Sequence, residues 1–379
     1  MEPDRHLGVT EATNHGGEDS FAEAVTKLYD ANPARSDDGT PYPQLKKGAT
    51  LHHHDMAFSV GDIKGTGRVV FFSPENRKAL NGFLIQQGGY MQLPTSMLTD
   101  KVLDPLLPIM EARGMVGVAY AHGGRGSPDL IVNQGRWGIK TLQDHVAQQI
   151  SHLLPVLQSE YTAENNGDTS TVPIVLMGHS QSAQTVAHEL SDPARYGFKE
   201  GQIRGAALIN SVALPYSQAM LLTPGLVTNI VRRSLLDVVR SLASGEGLLL
   251  RGEDAHRAFI GEGGPHSTAA QRITMNTYPA EAAWFVQTLT SGTSPRLTPE
   301  KVHGLPIALL TSSHDQLMGE YAQNMTHRHV ERSGANVLWK VVPGRHFSPI
   351  MLSGDESIER VLEIIRGNSV AFEHAFQNM

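Results

Sequence analysis

The 379-residue chain contains no cysteine. Disulfide frameworks, cysteine zinc sites, iron–sulfur clusters, thiolate nucleophiles and CxxC redox chemistry are excluded together. The compartment is not fixed by this absence, because a chain of this length buries roughly three quarters of its unfolded surface and needs no bridges to fold. An excess of positive charge is also missing: 31 Lys and Arg stand against 38 Asp and Glu, a formal charge of −7. That is the wrong sign for neutralising many phosphates, so no nucleic-acid partner is expected. No apolar run approaches the roughly 18 residues that span a bilayer. The most apolar stretch, Leu226 to Leu250, is interrupted by Arg232, Arg233, Asp237 and Arg240, and no transmembrane segment is expected. The opening residues Met1-Glu2-Pro3-Asp4 lack a basic stretch followed by an apolar one. No secretory signal is visible, and a cytoplasmic location is the expectation, with secretion after processing left open.

What is present reads as an ordinary globular protein, with 40% apolar and 18% charged residues, 37 Gly and 21 Pro. Residues 1–48 are polar, with one short helical pattern at Phe21, Ala24, Val25, Leu28 and Tyr29, and read as an extension. Between Met56 and Pro74 two β-rich runs, Ala57-Phe58-Ser59-Val60 and Gly67 to Phe72, read as an antiparallel entry to a sheet. Strand and helix patterns then alternate. Buried strands are predicted at Gly82 to Gln86, Met115 to Tyr120, Val172 to Met177, Ile203 to Ile209, Pro306 to Leu310 and Asn336 to Val342. Helices are predicted over Ile139 to Tyr161 and Asp355 to Arg366. Such alternation implies parallel pairing with helices on both faces, a mostly parallel, doubly wound α/β sheet. Residues 212–299 break the rhythm. Val227, Ile230, Val231, Leu235, Val238, Val239 and Leu242 recur there mostly at helical steps, which reads as an inserted helical cap splitting a core of 49–211 and 300–379.

The strongest local motif is Ile174-Val175-Leu176-Met177-Gly178-His179-Ser180-Gln181-Ser182-Ala183, an apolar strand that runs into a small-x-Ser-x-small turn and a helix. A nucleophile on a sharp, strained turn needs small residues two positions to either side so that strand and helix can approach. Ser182 stands where the pattern usually has its second glycine. A serine hydroxyl also needs a base, and the base needs an acid to hold its tautomer. The strand Pro306 to Leu310 runs into Thr311-Ser312-Ser313-His314-Asp315, and the strand Asn336 to Val342 into Pro343-Gly344-Arg345-His346-Phe347. Both loops fall where a doubly wound sheet presents its crevice. Ser180, Asp315 and His346 are therefore the candidate nucleophile, acid and base.

With these motifs in this order, residues 54–379 resemble the α/β-hydrolase superfamily: the elbow GHSQS, the acid loop TSSHD, the histidine loop PGRHF, and a Gly124-Arg125-Gly126-Ser127 turn after an early strand. The resemblance implies an inserted cap and an oxyanion hole of backbone N–H groups, one on Gln181 and one on Gly89 or Tyr90. Many members carry His-Gly before the oxyanion loop, where this chain reads Gln86-Gln87-Gly88-Gly89-Tyr90. Some place the acid after the preceding strand, which here ends in Asn210-Ser211.

Each assignment has a plainer competitor. Asp315 could cap the helix starting near Leu317, His314 could be a simple loop residue, and His179 could pack at the elbow. Gly88, His122, His179 and Trp284 are the candidates for contact with substrate. His52-His53-His54-Asp55 has metal-ligand chemistry, but consecutive residues of an extended segment point to alternate sides, and no metal is expected. The expected activity is hydrolysis of an ester or lactone of an apolar small molecule through an acyl-enzyme, with no cofactor. Carbon–carbon, thioester or peptide hydrolysis by the same triad, a non-catalytic ligand-binding role, and a homodimer all remain open.

Overall fold

The computed structural model of the chain describes residues 49–60, 63–77, 79–88, 98–121, 139–211, 296–315, 319–346, 348–350 and 357–379. The expected N-terminal extension, nearly all of the helical cap, the Gly124 turn, Gly89, Tyr90, His122, Trp284 and Phe347 lie outside them.

The described strands form one eight-stranded sheet: β1 (Ala49–Val60), β2 (Ile63–Pro74), β3 (Gly82–Gly88), β4 (Met115–Ala121), β5 (Ile174–His179), β6 (Ile203–Ile209), β7 (Pro306–Ser312) and β8 (Asn336–Val342). Their spatial order is β1-β2-β4-β3-β5-β6-β7-β8. β1, β2 and β4 pair antiparallel, and every pairing from β4 through β3 to β8 is parallel. The expected antiparallel entry is thus present and longer than the sequence runs suggested, with His52 to Asp55 inside β1. β3, β5 and β7 are buried along their whole length, whereas β8 at the sheet's edge is only partly covered. IVLMGH reads as a strand covered on both faces and is one, but the buried strand expected at Asn336 to Val342 is an edge strand in which only Val342 is buried, because β8 pairs on one side alone.

Among the described residues six α-helices accompany the sheet: α1 (Asp100–Arg113), α2 (Ile139–Glu164), α3 (Gln181–Ser191), the single turn α4 (Pro299–Val302), α5 (Gly319–Arg332) and α6 (Ile358–Ala375). On one face Ile150, Leu153 and Leu157 of α2, Val186 and Leu190 of α3 and Val330 of α5 pack with Phe83, Ile85, Ile174, Leu176, Leu208 and Leu309. On the other, Val102, Leu106 and Met110 of α1 and Ile364 and Phe372 of α6 pack with Leu84, Val175, Met177, Ile209 and Leu310. The sheet is doubly wound, as the alternating pattern required. α1 has no clear signature in the sequence because Pro105 and Pro108 fall inside it, where a proline ordinarily costs a backbone hydrogen bond. α6 sits against bare backbone. A Cβ on Gly205 of β6 would come within 1.9 Å of the Ala375 carbonyl oxygen.

Candidate active site

Four strand ends meet at the carboxyl edge of the sheet. β5 delivers Ser180, with φ 59° and ψ −119°, a conformation an L residue holds only when its surroundings over-determine it. The surroundings are visible. The Ser180 N–H donates to the Ile209 carbonyl at 2.8 Å. Gly178 lies so near the first turn of α3 that a Cβ would sit 2.5 Å from the Ser182 carbonyl oxygen. Small side chains are needed here because strand and helix touch through backbone.

Ser182 adds what a glycine could not. Its Oγ accepts from the His179 N–H at 2.8 Å and donates toward the Gln87 carbonyl at 2.6 Å, with the His179 carbonyl at 2.8 Å. The elbow is thereby tied to the end of β3. Gln181 opens α3, where backbone N–H groups have no partner within the helix. Gly88 closes β3, buried and in register with Ala121.

β7 and β8 deliver the other two candidates. The loop after β7 is pinned by Ser313 N–H to the Val342 carbonyl and His314 N–H to the Gly344 carbonyl, both 2.9 Å. Asp315 Oδ2 and His346 Nδ1 are 2.7 Å apart, and both side chains are buried. A carboxylate only accepts, so Nδ1 donates and the neutral ring presents Nε2 as its acceptor. The plainer reading of Asp315 as a mere helix cap is not needed to account for its contact. His314 bonds the neighbouring Ser313 Oγ at 2.7 Å at the surface.

His179 is fully buried. Its Nε2 lies 2.9 Å from the His346 carbonyl oxygen, with the two rings 4.9 Å apart. Burial, and then the neighbouring His346, push the His179 pKa down to about 3, so the ring is neutral and Nε2–H is the donor. Asn210, at φ 45° directly after β6, donates from Nδ2 to the same carbonyl through a short bond and to Ser312 Oγ at 2.9 Å; its Oδ1 accepts from the Ser312 N–H at 2.8 Å. Neither contact was legible as such in the sequence. The only signal was an asparagine at a strand end, where left-handed backbone is tolerated. Farther along the histidine loop, buried Lys101 donates to the Ser348 carbonyl at 2.8 Å and Asn368 to the Pro349 carbonyl at 2.7 Å.

Behind the elbow, buried Glu189 of α3 accepts from Gln87 Nε2 at 2.9 and 2.7 Å, and burial pushes its pKa up to about 8. Burial thus favours the protonated form of this carboxyl.

No family model matches the chain, and no curated protein matches it. Solved structures resemble it. A thermostable esterase from Pseudomonas putida is 13% identical with a TM-score of 0.49, over 97% of this chain and 99% of that one. A proline iminopeptidase from Mycobacterium smegmatis is 15% identical with a TM-score of 0.48, over 84% and 99%. A thermostable carboxyl esterase from Bacillus coagulans is 14% identical with a TM-score of 0.46, over 86% and 100%.

Proposed function

We infer, from a doubly wound sheet that carries Ser180 on a positive-φ turn after β5 and a bonded Asp315–His346 pair after β7 and β8, that the chain is an α/β-hydrolase working as a serine hydrolase. The observation that carries this reading is the buried 2.7 Å bond between His346 Nδ1 and Asp315 Oδ2. It sets the tautomer that makes Nε2 a base.

In this reading Ser180 Oγ attacks a carbonyl carbon while His346 Nε2 takes its proton. Asp315 stabilises the imidazolium without taking the proton itself. The oxyanion is held by the Gln181 N–H and that of Gly89 or Tyr90, each such donor being worth about a hundredfold to a thousandfold in rate. His346 returns the proton to the leaving alcohol, and water repeats the sequence on the acyl-enzyme. The substrate we propose is an ester or lactone of an apolar small molecule. The composition of residues 212–299, rich in Leu and Val with Met220 and Trp284-Phe285, supports an apolar cap over the site.

A fluorophosphonate probe tests the nucleophile. Labelling of the wild type, lost in Ser180→Ala and His346→Ala, is the expected result, and an unlabelled folded wild type overturns the reading. A panel of aryl esters, lactones, thioesters and peptides then distinguishes the reaction, with turnover of the first two expected.

A further inference from the structure

We propose that Asn210 and His179 are positioning residues, a two-sided clamp on the peptide carbonyl of His346 that holds the base in line with the turn carrying Ser180. The proposal rests on the reading of His346 as the base.

The contacts single these two residues out. His346 lies in a loop beyond the edge strand β8, and its ring is bonded to Asp315. Its carbonyl oxygen receives two donors from the ends of two other strands, His179 Nε2–H from β5 and Asn210 Nδ2–H from β6. The clamp therefore ties the base to the strand that delivers the nucleophile. Asn210 does more than donate once. Its second Nδ2 hydrogen meets Ser312 Oγ and its Oδ1 takes the Ser312 N–H, so one buried amide fixes both the base's backbone and the strand end from which the acid loop leaves. Both donors and the acceptor of the carboxamide are used.

This pattern also gives a reason for an amide rather than a carboxylate at the end of β6. An aspartate of the same shape would turn an acceptor toward the His346 carbonyl, itself an acceptor, and would set a second anion near the base. Asn210→Asp thus changes donor parity with almost no change in volume. Neutral His179 serves for a matching reason: a charged ring 4.9 Å from an imidazolium would oppose the protonation of His346 that the reaction needs.

The test measures labelling and ester turnover together with the downfield proton resonance of His346 Nδ1–H. In Asn210→Asp, with folding checked by circular dichroism, kcat and the labelling rate fall about tenfold to a hundredfold while KM changes little, and the resonance moves. His179→Phe, which keeps a ring but loses the donor, behaves likewise, and His179→Gln, which restores an N–H near the Nε2 position, labels faster than His179→Phe. A folded Asn210→Asp that labels within about twofold of wild type with an unmoved resonance overturns the proposal. If Asn210→Asp does not fold, the His179 pair decides: equal labelling by Phe and Gln overturns the clamp, and faster labelling by Gln upholds it. A wild type that resists the probe sinks the serine-hydrolase reading instead, and the clamp is then judged by the resonance alone, a shift in Asn210→Asp upholding it and no shift overturning it.

Discussion

The elbow and the histidine loop face each other across the carboxyl edge of one sheet, yet they are held by different forces. Around Ser180 the constraint is mostly steric and backbone: a positive φ, a glycine with no room for a Cβ, and a peptide N–H to Ile209. Around His346 it is mostly side-chain hydrogen bonding, from Asp315, His179, Asn210 and, farther along the loop, Lys101 and Asn368. A region held by volume fails when something is added. A region held by donors and acceptors fails when one is exchanged for the other at constant size.

The sharpest break of this contrast comes on the histidine side. Asp315→Asn, nearly isosteric, lowers kcat about 10⁴-fold with the fold intact, read from ester turnover and circular dichroism; an activity near wild type would remove Asp315 from the acid's place. On the elbow side a single methyl is enough. Gly178→Ala destabilises the protein by up to about 3 kcal/mol through overpacking and slows probe labelling, as urea unfolding and labelling kinetics will register.

Glu189 probes the exception, a side-chain contact behind the elbow. Its folded pKa of about 8 lies above that of an exposed carboxyl, so the folded state keeps a proton the unfolded chain releases. The sign follows: its contribution is fully present below about pH 4.5, is lost as pH rises toward 8, and changes little beyond. Between pH 6 and 8 wild type loses about 2 kcal/mol relative to Glu189→Gln, measured by thermal unfolding against pH. His179 and His188, whose pKa values burial depresses to about 3 and about 4, and Asp104, which burial raises to about 7, also change stability with pH up to or within that window, but they are common to both proteins and cancel in the comparison with Glu189→Gln. Labelling at neutral pH is unchanged by Glu189→Gln, because the elbow's shape does not depend on that contact. The smallest effect is Ser182→Ala, about 1 kcal/mol for the lost hydroxyl. Ser182→Gly costs at least as much, and a stabilised glycine variant would show that only size matters there.

The two regions also differed in how far they could be read from the chain. The elbow was legible because its requirements are local: an apolar strand, Gly178, Ser180 and a small residue at 182 are neighbours in sequence. β6 and β8 were legible to the residue, since Ile203 to Ile209 and Asn336 to Val342 are bounded by turn-forming text. Asp315 and His346 could be nominated from their places after strands. The contacts that hold His346 could not, because Asn210 and the histidine are 136 positions apart, and asparagine after a strand has many uses. Two prolines hid α1 for the converse reason: tertiary packing of Val102, Leu106 and Met110 overrides a local penalty.

The order of strands carries a kinetic consequence. β3, β4 and β5 come from residues 82–179, but the strands that bring Asp315 and His346 come from beyond residue 305, paired outward in sequence from β6. Closing such long loops is slow relative to forming helices or a hairpin. On the proposed reading, catalytic competence is the last property to be acquired: in refolding, helical signal returns first and reactivity toward a serine probe lags behind it, timed by the docking of β7 and β8.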